Sequence, residues 1–442
     1  MARLALDQAL PTQWIDEVFE QNRQRQYPRE LLFSSIVELM SLVALGLSPS
    51  LHAAARKMAD RLPVSMAALY AKVKRTEPAL LRALVRGSAQ RLEPVLASLD
   101  IEQSLPGWQV RIIDGNHLPA SEKRLTELRG LRGAALPGHT LVVYDPDRSL
   151  VCDIVACEDA YESERVGAAQ LIDSAQPGQA WIGDRHFCTA ALLGGLHARG
   201  AGFIVREHAK HPHLQGLGSW STPSAIETGQ VREQSIELSL DGHEPNLCIH
   251  WRRIEIELDT PTDSGDQTIT LWSNLPSTIT AQTIAQLYRK RWRIEGMFGR
   301  LESVLNSEIK TLGHPRAALL GFAVAVLSYN VLSLLKMVTE QAHRATHPTL
   351  DVSTYHLGLE VASSYGSMLV LVPNEHLPCA DGDPQRLLEQ LLRLASGLSP
   401  KQLATSKRGP KKSRANEGYV DGANARAHVS TARLIAEKGK RR

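Results

Sequence analysis

The chain has 442 residues, with 50 Lys and Arg against 47 Asp and Glu, a net charge of +3. That length exceeds one ordinary domain and predicts two or three structural units of globular composition. The five cysteines, Cys152, Cys157, Cys188, Cys248 and Cys379, form no Cys-x-x-Cys pair and no Cys/His cluster with zinc spacing, which fits a reduced, cytoplasmic protein.

Residues 1–105 read as a helical N-terminal domain. The start, "MARLALDQALPTQWIDE", lacks the long apolar run and small-residue cleavage site of a secretory signal. From 28 to 99 apolar residues recur at helical spacing. Within this region, residues 50–75 resemble a helix-turn-helix. Ser50 is placed to cap a first helix, Leu62-Pro63-Val64 to break it, and Ser65 to cap a second helix. That second helix ends in Lys72, Lys74 and Arg75, cations suited to DNA phosphates.

After Pro106 the pattern changes to strands. "WQVRIIDG", "HTLVVYD" and "SLVCDIVAC" predict three adjacent antiparallel strands. A helical stretch from about 164 to 174, the strand "QAWIGD", a helix from about 189 to 199 and the strand "GFIVRE" follow. This order, over 106–206, is that of the first part of an α/β, RNase H-like mixed-sheet core. Residues 207–275 are alternating and Ser/Thr-rich, predicting a β-rich insertion. Residues 276–340 return to helix as the second part of the core, and 341–398 predict a helical C-terminal region. The stretch "AALLGFAVAVLSYNVLSLL" is long enough to span a bilayer. It carries Ser328, Tyr329 and Asn330 at its centre and is read as a buried core helix, with no membrane partner. From 399 to the end, twelve Lys or Arg face three Asp or Glu, a basic tail suited to a polyanion.

Three carboxylates stand out. Asp114 closes the first predicted strand and Asp184 the fourth. Sheet ends join a rigid backbone to an open crevice, so such positions concentrate ligands and catalysis. The third lies in "YRKRWRIEGMFGRLE", residues 288–302, which has five cations and two acids. Read as one continuous helix at about 100° per residue, it puts Tyr288, Arg291, Glu295 and Glu302 within about 60° of one another. Leu287, Ile294, Phe298, Leu301 and Leu305 form a stripe for packing, and Arg289, Lys290, Arg293 and Arg300 fan out on the far side. Three converging carboxylates need a cation between them, and oxygen ligands favour Mg²⁺ or Mn²⁺ over zinc. Two such ions about 4 Å apart suit phosphodiester chemistry. His117 and His186 flank the aspartates but lack the paired spacing of metal-binding histidines.

The same stretch resembles the Tyr-x2-Arg-x3-Glu-x6-Lys signature of bacterial DDE transposases of the insertion-sequence-four family. Tyr288, Arg291 and Glu295 match it in spacing; "IIDGNHL" resembles the family's first-aspartate region and "WIGDRHF" its second. The resemblance runs from about 108 to 315. It implies a cut-and-paste transposase acting on double-stranded DNA, both terminal inverted repeats and target. Asp114, Asp184 and Glu295 would be its catalytic residues and would hold two Mg²⁺ or Mn²⁺ ions. Tyr288, Arg291, Arg185 and Trp292 would be DNA contacts. It also implies a homodimer on paired ends and a cytoplasmic, nucleoid-associated bacterial protein. One position departs: Glu302 stands where the signature has lysine, leaving Arg300 or Lys310 to take its place. The alternatives are a nuclease of the same fold that cuts without joining, and a non-catalytic DNA-binding protein.

Overall fold

A computed structural model describes the chain except residues 25, 27–29, 60–61, 124, 129–131, 209–213, 239–248, 263, 372–381 and 407–442. Most of the basic tail, Cys248, Cys379 and part of the turn in the helix-turn-helix segment lie outside the described residues. Met1–Ala404 forms one compact unit, and Thr405–Arg442 is a second.

The chain begins with helices α1 (Ala2–Ala9), α2 (Thr12–Asn22), α3 (Phe33–Ala44), α4 (Leu51–Lys57), α5 (Met66–Val73) and α6 (Pro78–Ala97). The Ser50 hydroxyl accepts from the Ala53 amide at 3.2 Å and the Ser65 hydroxyl from the Ala68 amide at 3.3 Å, each satisfying an amide the helix leaves free. Helices as short as α4 and α5 are marginal in water. They are held by Leu51, Ala54, Leu69 and Val73, all buried. Pro78 opens α6, where its missing N–H costs nothing.

Strands β1 (Gln109–His117), β2 (His139–Asp145) and β3 (Leu150–Cys157) are followed by α7 (Glu164–Leu171), β4 (Gln179–Gly183), α8 (Ala190–Ala198) and β5 (Gly202–Arg206). Then come β6 (Leu214–Leu217), β7 (Ser224–Ile226), β8 (Gly229–Leu238), β9 (Ile249–Leu258) and β10 (Thr268–Ser273). Among the described residues these make one mixed ten-stranded sheet in the order β3-β2-β1-β4-β5-β10-β9-β8-β6, with β7 on β8. The first three strands pair antiparallel, and β1, β4 and β5 are parallel neighbours. β10 lies antiparallel on β5, so the strands of 214–273 continue the sheet from the edge that β5 would otherwise leave open.

Alternation sorts the side chains between two cores. Ile113, Leu141, Val143, Trp181 and Phe203 pack with α7 and α8, together with Trp251 and Trp272 from the later strands. Ile112, Val142, Ile154, Ile182 and Ile204 pack on the other face with α6 and the helices after the sheet. Those helices are α9 (Ala281–Arg289), α10 (Arg293–Ser303), α11 (Pro315–His343), α12 (Thr354–Leu371), α13 (Pro384–Ala395) and α14 (Pro400–Leu403).

α11 is long and apolar enough to cross a membrane, yet its apolar window is entirely buried inside the fold. Its polar residues explain this placement. Fully buried Asn330 accepts from the Val151 amide and donates to the Val151 carbonyl, both at 2.9 Å, closing the backbone of edge strand β3. Tyr329 meets Tyr144 of β2, hydroxyl to hydroxyl, at 3.5 Å.

Candidate active site

The site forms where β1 and β4 part. Their parallel pairing ends at Ile112 and Ile182, so Asp114 and Asp184 each lie two residues beyond the same register point. By alternation both leave the sheet on the face of Ile112 and Ile182, which α10 covers. The Asp114 carboxylate accepts from the Gly115 amide at 2.9 Å and that of Asp184 from the His186 amide at 2.8 Å.

The third element is not one continuous helix. α9 and α10 are joined by a 3₁₀ turn, Lys290–Trp292, a tighter coil that changes the angular phase between Tyr288 and Glu295. Arg291 sits in that turn. Its guanidinium donates to Asp114 at 3.1 Å and reaches Glu295, one helical turn on, at 3.5 Å. The Arg291 side chain is 12 % exposed and that of Asp114 20 %, so this pair is shielded; Glu295 at 47 % faces solvent. Burial raises the Asp114 carboxyl, Arg291 opposes, and Asp184 and then Glu164 raise it further, to about 6. Tyr288 belongs to the same group: burial pushes its phenol up, while Arg291 and Arg206 oppose and Asp184 adds to the rise.

The DNA contacts expected from sequence divide. Trp292 is 62 % exposed rather than packed in a core, with the Arg291 guanidinium 4.7 Å from its ring centre. Arg185 is exposed and lies 3.7 Å from Asp266, which pairs more closely with Arg206 at 2.8 Å. Lys74 and Arg75 are exposed at the end of α5. Lys72 turns inward instead: its ammonium donates to the Leu31 carbonyl and lies 4.9 Å from the Phe19 ring centre. Arg300 is a second correction. Expected on the outward fan, it donates to the Tyr329 hydroxyl at 3.2 Å, because the broken helix turns this side chain toward α11. Arg289 pairs with Glu227, Lys290 donates to Ser104 and Arg293 to the Pro146 carbonyl, so the fan of cations holds this chain's own loops.

Glu302 is exposed and does not join Tyr288, Arg291 and Glu295. Its charge adds to the effect of burial in raising Glu308, so the position is locally acidic. His117 lies three residues after Asp114 and therefore on the opposite face of β1, stacked on His139 with ring centres 5.3 Å apart.

One residue escaped the sequence reading. Glu164, the first residue of α7, brings its carboxylate to within 1.9 Å of where a Cβ on residue 115 would stand, on the α7 face of β1, opposite the face Asp114 takes, a position open only because that residue is glycine. The signal was the glycine directly after Asp114.

Carboxylate oxygens suit a hard divalent cation, and Asp114 is buried beside other acids, as a cation-binding group would be. Among the described residues, no three His, Cys, Asp or Glu side chains stand close enough together to hold a metal ion. Arg291, bridging Asp114 and Glu295, lies in the way. The donor types suit such an ion, while the side chains as placed share Arg291 instead.

Comparison with known proteins adds three findings. The family model described as the transposase DDE domain matches residues 107–331. No curated protein matches the chain. Among solved structures it is similar to a piggyBac transposase synaptic complex with hairpin DNA, at 9 % identity over 93 % of this chain and 87 % of that one, with a TM-score of 0.42.

Proposed function

Since the chain belongs to the transposase DDE-domain family, we propose that it is a cut-and-paste DNA transposase of the insertion-sequence-four type. The core would be RNase H-like, with Asp114, Asp184 and Glu295 as the acidic triad. The observation that carries this reading is the Arg291 bridge, which draws Asp114 and Glu295 together across the sheet-helix interface from positions 181 residues apart in sequence (295 minus 114).

The reaction is in-line attack of water on a phosphodiester at an element end, then attack of the freed 3′-hydroxyl on target DNA. Asp114, Asp184 and Glu295 would hold two Mg²⁺ or Mn²⁺ ions, which would supply activation of the attacking oxygen and charge neutralisation at the leaving one. The chain's own residues do the rest. Asp114 and Asp184 hold fixed positions because Asp114 lies within β1, two residues past its last pair with β4, and Asp184 directly follows β4. Arg291, released from Asp114, turns to the DNA phosphate, and the Tyr288 phenol beside it fixes the phosphate's orientation. Trp292 offers an exposed ring for stacking on the DNA end. Arg185 adds a charge beside Asp184, and Lys74 and Arg75 on α5 serve as phosphate contacts of the helix-turn-helix. The basic tail adds sequence-independent attraction. Two ends must be cut together, which calls for a homodimer. Exposed Tyr355 and Leu359, one turn apart on α12, are suited to such a contact. The protein would act in the bacterial cytoplasm, at the nucleoid.

The test uses labelled DNA carrying the gene's flanking repeats, with Mg²⁺. The parent is expected to cut the ends and yield strand-transfer products, and Asp184→Asn to lose both by at least about a thousandfold while still binding the DNA. Cutting without joining would make it a nuclease. Unchanged cutting by Asp184→Asn would refute the triad.

A further inference from the structure

The geometry points to a phosphate clamp where two helices meet: His314 and Arg316 at the head of α11 join Lys74 at the end of α5 to hold the backbone of duplex DNA. The inference rests on the reading of this chain as a DNA transposase and names a stretch of the path its DNA takes.

Contacts among three elements build the cluster. The Arg316 guanidinium donates to Glu158, just past β3, at 2.8 Å and reaches the Arg75 carbonyl at 3.5 Å, which sets it beside the C-terminal end of α5. His314 precedes Pro315, the first residue of α11, and feels the charges of Lys74, Glu158 and Arg316. The N-terminal end of this 29-residue helix adds positive potential of its own.

These charges do not balance within the chain. Lys74 is exposed and has no ion pair among the described residues, and Glu158 is already paired with Arg316. The buried Nδ1 of His314 has no hydrogen-bond partner among the described residues, so nothing internal fixes its proton. Burial holds this imidazole below its usual value, Lys74 lowers it further, Glu158 opposes and Arg316 lowers it again. Like charges gathered around one acid are relieved by an arriving anion. A phosphate oxygen accepts from a guanidinium, an ammonium and a protonated imidazole alike.

The cluster also lies where DNA at the acidic site would pass. Cys157, beside Glu158, pairs with His139, and His139 pairs with His117, three residues past Asp114. Two strand spacings and three residues of rise amount to on the order of 15 Å. Glu158 continues the alternation of Ile154, which packs on the same face as Ile112 and hence Asp114. A duplex turn is about 34 Å long, so one duplex spans both places. The simpler role for Arg316 is to tie α11 to the end of β3. That role uses Arg316 and Glu158 and leaves Lys74 and the unpartnered nitrogen of His314 unexplained.

Fluorescence anisotropy of a labelled random-sequence duplex with the full chain, in EDTA so that nothing is cut, separates the two roles. Glu158→Gln removes the competing acid and is expected to tighten binding about threefold or more. Adding Arg316→Gln to Glu158→Gln is expected to make the slope of log affinity against log salt shallower by about 1. A bound phosphate holds the proton that the free His314 ring gives up, so affinity rises as pH falls from 8 to 6. His314→Gln is expected to remove about half a unit or more from that slope of log affinity against pH. Arg393→Gln, an exposed cation on α13, serves as the control and is expected to keep the parent affinity. Thermal melting confirms that each variant folds. If the Glu158, Arg316 and His314 variants all keep the parent affinity, salt slope and pH profile while Lys74→Gln weakens binding, the head of α11 is only a tie and the transposase reading stands. If the parent binds no duplex, that reading fails and this inference with it.

Discussion

The two ends of strand β1 treat buried charge in opposite ways. At the start of the strand, Arg111 lies opposite Asp145 of β2, one step beyond the Ile112 and Tyr144 pair, and donates to it at 2.6 Å. Asp145 also accepts from the amides of Asp147 and Arg148 and from the Arg148 guanidinium at 3.1 Å. Nearby, Arg82 spans Asp153 at 2.7 Å and Asp173 at 2.6 Å. Each acid there has an arginine. At the far end, Asp114 and Glu295 share one guanidinium, Arg291, and burial with the charge of Asp184 still raises Asp114 to about 6. The first arrangement locks the sheet to its helices; the second leaves negative charge in want of a cation. Clusters of this second kind belong to working sites, because binding a ligand relieves what folding leaves unfavourable.

The largest test of this contrast is on stability. Arg111→Ala strands Asp145, whose side chain is 2 % exposed, with Arg148 alone. Removing one partner of a buried pair costs about 3–5 kcal/mol. Urea unfolding at pH 7 is expected to show a loss of that size, and a loss below about 1 kcal/mol would mean the pair is not what anchors this end.

At the other end the sign reverses. The folded state holds the Asp114 proton more tightly than the unfolded chain does, from about 6 against 3.8. This carboxyl therefore favours the fold at low pH, and that contribution is lost as pH rises through about 6. Asp114→Asn cannot ionise, so in EDTA at pH 8 it is expected to be more stable than the parent, by on the order of 2 kcal/mol. The gain should fade as pH falls from 6 toward 4, where the parent carboxyl is protonated too. A variant less stable than the parent at pH 8 would place Asp114 among the locked acids.

How much of this was legible follows from what each residue depends on. Ser50 and Ser65 cap helices through amides three residues away, and Asn330 stands polar in an apolar run; such signals are local. Asp114 and Asp184 were findable because each follows an apolar strand run, though only Asp184 follows a strand's end; β1 runs on past Asp114 to His117. The inward turns of Lys72 and Arg300 were not, since each depends on partners far along the chain, Leu31 and Tyr329. The 3₁₀ turn at 290–292 was also hidden, because a change of coil leaves the spacing of residue types untouched. Glu164 reads as any helix-start acid until the sheet brings Gly115 beneath it.

The smallest expected effect lies outside both ends, at Glu302. The residue is exposed, so Glu302→Lys should change stability by no more than about 0.5 kcal/mol. Its neighbour Glu308 is raised by burial and then by the Glu302 charge, so removing that charge relieves a conflict rather than creating one. Any larger consequence must then appear on DNA. If position 302 faces a phosphate, the lysine turns a repulsion into a contact, and the slope of log affinity against log salt should steepen by about 1. With Arg300 committed to Tyr329, no compensating change is available from that side chain. An unchanged slope would move the position off the DNA path and leave the phosphate contacts to Arg291 and the exposed cations of α5.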